Sequence, residues 1–386
     1  MLQGKLAGMK CHFAHLPLPV LSLCLLLATL SGCERPTTAP AGWRLDALLG
    51  GTDVAGFERA LTPRPFAFPA EHAVHPGFRS EWWYVAGNLN TAQGRHFGYQ
   101  VTFFRNALAP AAPDNPSPWA TRQVWMAHVA LTDVVARQHH FEQRLARGAL
   151  GLAGQAQQPF RVWLEDWQLL GQGRGDFPWQ VQVKAVDFSL DLTLVPQKPP
   201  VLQGEQGLSV KSHEPGNASY YYSFTRLATR GTLRSGTETY PVTGTSWLDR
   251  EWSTSVLGDG QVGWDWFSLQ LDDGHELMFF HLRRADGQAD THNAGSWIAA
   301  DGQVTRLGTD TVQLQPLRFW EAEDGRRYPV VWELAVPTLK RHWRVEALLD
   351  AQQLRTAVVY WEGAVRVVEA DGGRPVGYGY LEMSGY

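Results

Sequence analysis

Asp249 and Asp265 stand among tryptophans, the first close to Trp247 and Trp252 and the second between Trp264 and Trp266. A carboxylic acid in apolar surroundings holds its proton more tightly, and aromatic faces attract cations. That pairing suits cofactor-free acid–base chemistry on a hydrophobic molecule. Asp249 and Asp265 are therefore read as proton donor and electrostatic partner, with His128 orienting a water. Trp247, Trp252, Trp264 and Trp266, together with Glu81 and Trp83, would shape the binding pocket. Each residue also has a structural alternative. Asp249 could pair with Arg250, Asp265 could be buried among its aromatic neighbours, Glu81 could face solvent at a strand end, and His128 could be a core histidine.

These residues need strands to hold them. Val124–Thr132 alternates, with Trp125, Ala127, Val129 and Leu131 on one face and Met126, His128, Ala130 and Thr132 on the other. The same alternation puts Glu81 and Trp83 on one face of their segment and Trp82 and Tyr84 on the other. Trp82–Leu89 and Phe97–Arg105 flank a polar, glycine-bearing turn and predict a hairpin; Phe267–Leu271 and Glu276–Leu282 predict a second. The two hairpins are weakly alike, Trp-Trp-Tyr then Phe-Phe-Arg against Trp-Asp-Trp-Phe then Phe-Phe-His-Leu-Arg. Two tandem β-barrels of similar size follow, joined near residues 231–245, with first-barrel residues 65–240 and second-barrel residues 241–386. Val195–Gly216, rich in proline and glycine, reads as a long surface loop.

Composition agrees with an all-β chain. In 386 residues there are 17 Trp, 17 Phe and 11 Tyr beside 38 Gly and 23 Pro, so aromatic bulk alternates with turn residues. The net charge is −4 and no Lys/Arg-rich run occurs, which excludes a nucleic-acid footprint. There is no Gly-x-Ser-x-Gly elbow, His-Glu-x-x-His or phosphate-binding loop, and the 13 His are scattered. Neither a metal nor a cofactor is expected.

All three cysteines, Cys11, Cys24 and Cys33, lie at the N-terminal end. Lys5 and Lys10 precede the apolar stretch Leu16–Leu30, which is short for a membrane span and reads as a signal peptide over residues 1–32. Leu30-Ser31-Gly32-Cys33 looks like a lipobox, so Cys33 would carry lipid and residues 33–64 would form a tether and entry segment. Glu34, rather than an aspartate, favours sorting to the periplasmic face of the bacterial outer membrane. Stable membrane attachment through acyl chains is then expected.

Three further stretches carry a resemblance. Glu81-Trp82-Trp83-Tyr84 with Phe97–Arg105 is the first, and Gly244–Trp252 with Gly263–Phe267 the second. The third joins Tyr360–Val365 to the C-terminal Gly377–Tyr386. Together they resemble the AttH-type secreted hydrolases, a group related to the carotenoid 1,2-hydratases. The resemblance spans Pro65–Tyr386 and implies two consecutive lipocalin-like β-barrels. It further implies hydration or hydrolysis of an isoprenoid- or lipid-like molecule, although Arg250 stands beside Asp249 where the hydratase branch would carry a histidine. Hydrating an alkene requires a proton donor, a surface that tolerates a carbocation and a placed water. The alternative is a non-catalytic carrier of a lipophilic ligand, or an accessory lipoprotein serving an ABC-type transporter.

Overall fold

The computed structural model describes residues 54–173, 176–255 and 257–386. The signal segment, Cys33 and most of the tether lie outside the described residues. Among the described residues there is no α-helix, only two single 3₁₀ turns at Ala70–His72 and Pro337–Leu339.

The chain forms two antiparallel sheets. The first contains β1 (Ser80–Asn90), β2 (His96–Ala107), β3 (Gln123–Asp133), β4 (Gln138–Arg147), β5 (Ala153–Gln157), β6 (Phe160–Leu164), β7 (Trp167–Gly171), β8 (Trp179–Lys184), β9 (Phe188–Pro196), β10 (Val201–Leu202), β11 (Leu208–Val210), β12 (Ala218–Ser235) and β13 (Glu238–Ser253). The second contains β14 (Gln261–Leu271), β15 (Glu276–Arg284), β16 (Ala294–Ile298), β17 (Val304–Gly308), β18 (Gln313–Glu321), β19 (Arg327–Val336), β20 (Arg341–Ala347), β21 (Gln353–Arg355), β22 (Val359–Glu369) and β23 (Pro375–Met383).

The two sheets share one topology. In the first the order is β4-β3-β2-β1-β13-β12-β9-β8-β7-β6-β5, and in the second β17-β16-β15-β14-β23-β22-β20-β19-β18. Each starts with a meander whose first strand pairs with the last strand of its half, β1 with β13 and β14 with β23. The weakly similar hairpins, β1–β2 and β14–β15, occupy equivalent positions. The first sheet curls into a nearly closed, lipocalin-like barrel and the second into a half-barrel. Its path lacks counterparts of β5 and β6, so the expectation of two barrels of similar size is corrected.

The expected join also moves. Residues 231–245 lie in the β12–β13 hairpin, where Gly231 pairs with Val242 and Ser235 with Glu238. The chain passes between sheets only in the 254–260 segment. Val195–Gly216 is likewise more than a surface loop, because β10 and β11 pair with β12.

Alternation explains what each strand buries. β9 reads Phe188, Leu190, Leu192 and Leu194 inward with polar residues between, as a strand with one solvated face does. β1, β2 and β3 are buried on both faces. One face fills the barrel with Trp83, Val85, Phe103 and Trp125. The other meets the second sheet, where Tyr84, Ala86 and Trp247 pack with Trp266, Phe280 and Tyr380. The approach is close: a Cβ on Gly98 of β2 would fall 2.4 Å from the Cβ of Ala364 on β22.

A polar clamp fixes the same junction. Lys198 Nζ bonds Glu276 Oε2 at 2.7 Å and the carbonyls of Gly274 and Ala299 at 2.6 and 2.7 Å. Arg226 Nε donates to Glu276 Oε1 at 2.5 Å. Two cations of the first half, Lys198 after β9 and Arg226 on β12, thus hold one fully buried carboxylate of the second.

Candidate active site

Between the sheets lies a cleft of about 770 Å³, counted out to its open mouth. On β13, Leu248 and Trp252 enter the barrel core while Asp249 and Glu251 face the cleft. Asp249 lies opposite Tyr84 of β1 and Ser223 of β12. It accepts hydrogen bonds from the Tyr221 hydroxyl at 2.6 Å, the Ser223 hydroxyl at 2.5 Å and Trp247 Nε1 at 2.7 Å. Burial pushes its pKa up to about 7; the three donors oppose that rise and the nearby Glu251 charge adds to it.

The second sheet supplies two more acids. Glu362 of β22 and Glu382 of β23 are direct cross-strand partners, a placement in which like charges repel. Burial and then the Glu382 charge hold the Glu362 carboxyl well above the ordinary range. Burial raises Glu382 to about 7, against a 2.8 Å bond from Trp264 Nε1, with the charges of Asp249 and Glu251 adding to the rise. The Tyr84 and Tyr360 hydroxyls face Glu362 and stabilise its anion. Yet neither Glu362 Oε1 nor the Tyr84 hydroxyl completes a hydrogen bond of good geometry, although both are buried. Two polar groups at the cleft wall are therefore available to a guest.

Aromatic faces close the rest. Trp82 and Phe104 come from the first sheet, and Trp264, Trp266, Phe280 and Tyr360 from the second. Lys211, just after β11, reaches the cleft with its Nζ 4.0 Å from the Phe280 ring centre and 3.4 Å from Glu251 Oε1. Among the described residues no group of histidine, cysteine, aspartate and glutamate could hold a metal ion.

Of the residues singled out in the sequence, Asp249, Trp264 and Trp266 line this cleft. Trp247 stands behind Asp249 and bonds it. His128 is one step back, its Nδ1 2.7 Å from the Tyr360 hydroxyl and its Nε2 3.0 Å from Gln143 Oε1. Burial lowers the His128 pKa to about 4, so it is neutral and orients Tyr360.

The others face away. Asp265 is buried on the opposite face of β14, bonded by the Tyr386 hydroxyl at 2.7 Å and by His281 Nδ1 at 3.0 Å. It sits between two cleft-facing tryptophans, so alternation turns it away from them. Glu81, Trp83 and Trp252 lie inside the first barrel. Glu81 accepts from Arg105 Nε, and from Arg250 at 2.5 Å. Arg250 lies 3.7 Å over the Trp83 ring, and His75 stacks on Trp252 at 3.7 Å. The barrel interior is thus a filled core with a buried ion cluster, and the cleft between the sheets takes the place expected of a barrel lumen. Arg250 serves Glu81, leaving Asp249 without a guanidinium partner.

Sequence reasoning passed over Glu251, Glu362, Glu382, Tyr221, Tyr360 and Lys211. A signal exists for Glu362, Glu382 and Tyr360, of the kind that marks Asp249. Trp247-Leu248-Asp249, Tyr360-Trp361-Glu362 and Tyr380-Leu381-Glu382 each place an aromatic residue and an acid two apart, hence on one strand face.

The fold and cleft define a two-sheet, lipocalin-like protein with an acid- and aromatic-lined site between its halves. Residues 59–386 match the AttH-like family model, and the chain belongs to that family. A putative AttH from Nitrosomonas europaea is 35% identical, with a TM-score of 0.75 over 86% of this chain and all of that one. Kievitone hydratase from Nectria haematococca shares the fold at 14% identity and a TM-score of 0.61, over 85% of this chain and 98% of its own. CghA does so at 12% identity and 0.52, over 89% and 97%. Comparison with curated proteins returns no match.

Proposed function

We propose that this protein binds a hydrophobic, isoprenoid- or lipid-like molecule between its sheets and adds water to it by cofactor-free acid–base catalysis. The observation that carries the proposal is the facing Glu362–Glu382 pair in an aromatic cleft. Two carboxyls whose environments push their pKa values apart divide acid from base. Glu362, fully buried, is the acid, and Glu382, half-buried and bonded by Trp264 Nε1, supplies the carboxylate. Glu362 gives its proton to an alkene carbon, and the cation that forms rests against aromatic faces and acids. Water attacks that cation and passes a proton to Glu382, and transfer within the pair restores the starting state. Asp249, held by three donors, adds negative potential when it ionises. The hydratase named among the structural neighbours supports the direction of this reading, and a lipophilic carrier is the outcome if no chemistry occurs.

The site away from the fold belongs to the same proposal. Lipid at Cys33 would hold the protein on the periplasmic face of the outer membrane, where apolar substrates partition, or beside an ABC-type transporter. Cys33→Ser should leave the precursor unprocessed; normal maturation of that variant would exclude the anchor.

For the catalytic core, terminal isoprenoids are incubated with protein in ¹⁸O-water and read by mass spectrometry. The expected result is uptake of one labelled oxygen, with turnover falling about 100-fold or more in Glu362→Gln while binding changes little. Bound but unaltered ligand would favour the carrier.

A further inference from the structure

Four acids face one cleft, Asp249 and Glu251 from β13, Glu362 from β22 and Glu382 from β23, and among the described residues that line it Lys211 is the one cation. The tyrosines in the lining, Tyr84, Tyr221 and Tyr360, are all held above their ordinary pKa by burial and stay neutral. Acids alone would not make a binding site. Here they share their walls with ring faces, and the buried Glu362 Oε1 and Tyr84 hydroxyl, though near each other, complete no hydrogen bond of good geometry.

The protein already seats one ammonium in this manner. Lys211 Nζ lies 4.0 Å from the Phe280 ring centre, 5.6 Å from that of Tyr221 and 3.4 Å from Glu251 Oε1. A ring face beside a carboxylate is the arrangement that recognises alkylammonium groups. Glu362 and Glu382 line the same cleft with Trp264, Trp266 and Tyr360, and Lys211, the one cation among the described lining residues, pairs with Glu251 rather than with them.

We infer that the cleft selects hydrophobic organic cations, an ammonium head on an apolar body, over neutral or anionic molecules of the same shape. The inference deepens the hydration reading, since an ammonium copies the charge of the cation formed there, and it concerns binding alone. Cation binding without hydration would sink the enzymatic reading and leave this one standing. Hydration of a neutral substrate without cation preference would do the opposite.

A cation that ionises the acid pair must displace a proton, because burial and repulsion hold one on Glu362 and favour one on Glu382. Affinity for it should therefore rise with pH up to about neutrality, by as much as about tenfold per pH unit. Neutral ligands should show no such slope.

The test uses three probes of one shape: (4-phenylbutyl)trimethylammonium, its uncharged carbon isostere 5,5-dimethylhexylbenzene, and 4-phenylbutane-1-sulfonate. Tryptophan fluorescence gives affinities for the full chain, and calorimetry in buffers of different ionisation enthalpy counts protons released. The ammonium should bind at least about tenfold more tightly than the isostere, release a proton, and lose about tenfold in Glu382→Gln and Glu362→Gln, with isostere binding unchanged. Equal affinity for ammonium and isostere, tighter binding of the sulfonate, or no binding of any probe by the wild-type protein would overturn the inference, whatever the variants' stability.

Discussion

Asp249 illustrates how a residue can serve a site at the expense of the fold. Its carboxyl is raised from the ordinary 3.8 to about 7, chiefly by burial. Between those values the folded state keeps a proton that the unfolded chain has released, so stability is full below about pH 4 and declines as pH rises to about 7. The loss is on the order of 4 kcal/mol at most. Asp249→Asn removes that dependence. Urea unfolding should show the variant more stable than wild type by about 1 to 3 kcal/mol at pH 8, with the gain absent at pH 4. A variant less stable at pH 8 would show that the three hydrogen bonds outweigh the buried charge. The same substitution should act on turnover in a second way. The Asp249 charge helps to raise Glu382, so its removal should shift the acidic limb of the pH–rate profile to lower pH.

Strands make the cleft legible only in part. The all-β class, both hairpins and the facing of β3 follow from alternation, because a period of two is imposed by the pleat whatever the sheet packs against. Alternation also separates the faces of β1, with Trp83 in the barrel core and Trp82 and Tyr84 in the cleft. What it cannot show is which face meets a second sheet. Asp265 and Asp249 look equivalent in sequence, each an acid near tryptophans, but Asp265 alternates away from Trp264 and Trp266, whereas Asp249 shares a face with Trp247. Glu362 and Glu382 are far from Asp249 in sequence and converge only through the pairing of β22 with β23 and the packing of the sheets. The clamp at the β14–β15 turn depends on the same long-range packing. Glu276→Ala would strand Lys198 and Arg226 at a buried junction, and chemical denaturation should show a loss of about 3 to 5 kcal/mol. A change under 1 kcal/mol would mean that apolar packing alone fixes the halves.

At the scale of the whole molecule, one topology is used twice and the site belongs to neither copy alone. The nearly closed barrel is filled by its own core and by the Glu81–Arg105–Arg250 cluster, while the second sheet packs its own core on one face and meets the first sheet with the other. Because Tyr84, Tyr221 and Trp247 of one half share a buried cluster with Trp266, Phe280 and Tyr380 of the other, the halves should unfold together. Calorimetry should give one transition with equal calorimetric and van't Hoff enthalpies; two resolved transitions would make the halves independent. The central claim, that this junction keeps a proton on a carboxylic acid at neutral pH, can be tested without a substrate. The infrared spectrum of the ligand-free protein at pH 7 should show the carbonyl stretch of a protonated carboxylic acid, diminished or lost in Glu362→Gln and retained in Asp265→Asn. A wild-type spectrum without that band, or a band unaffected by Glu362→Gln, would contradict it.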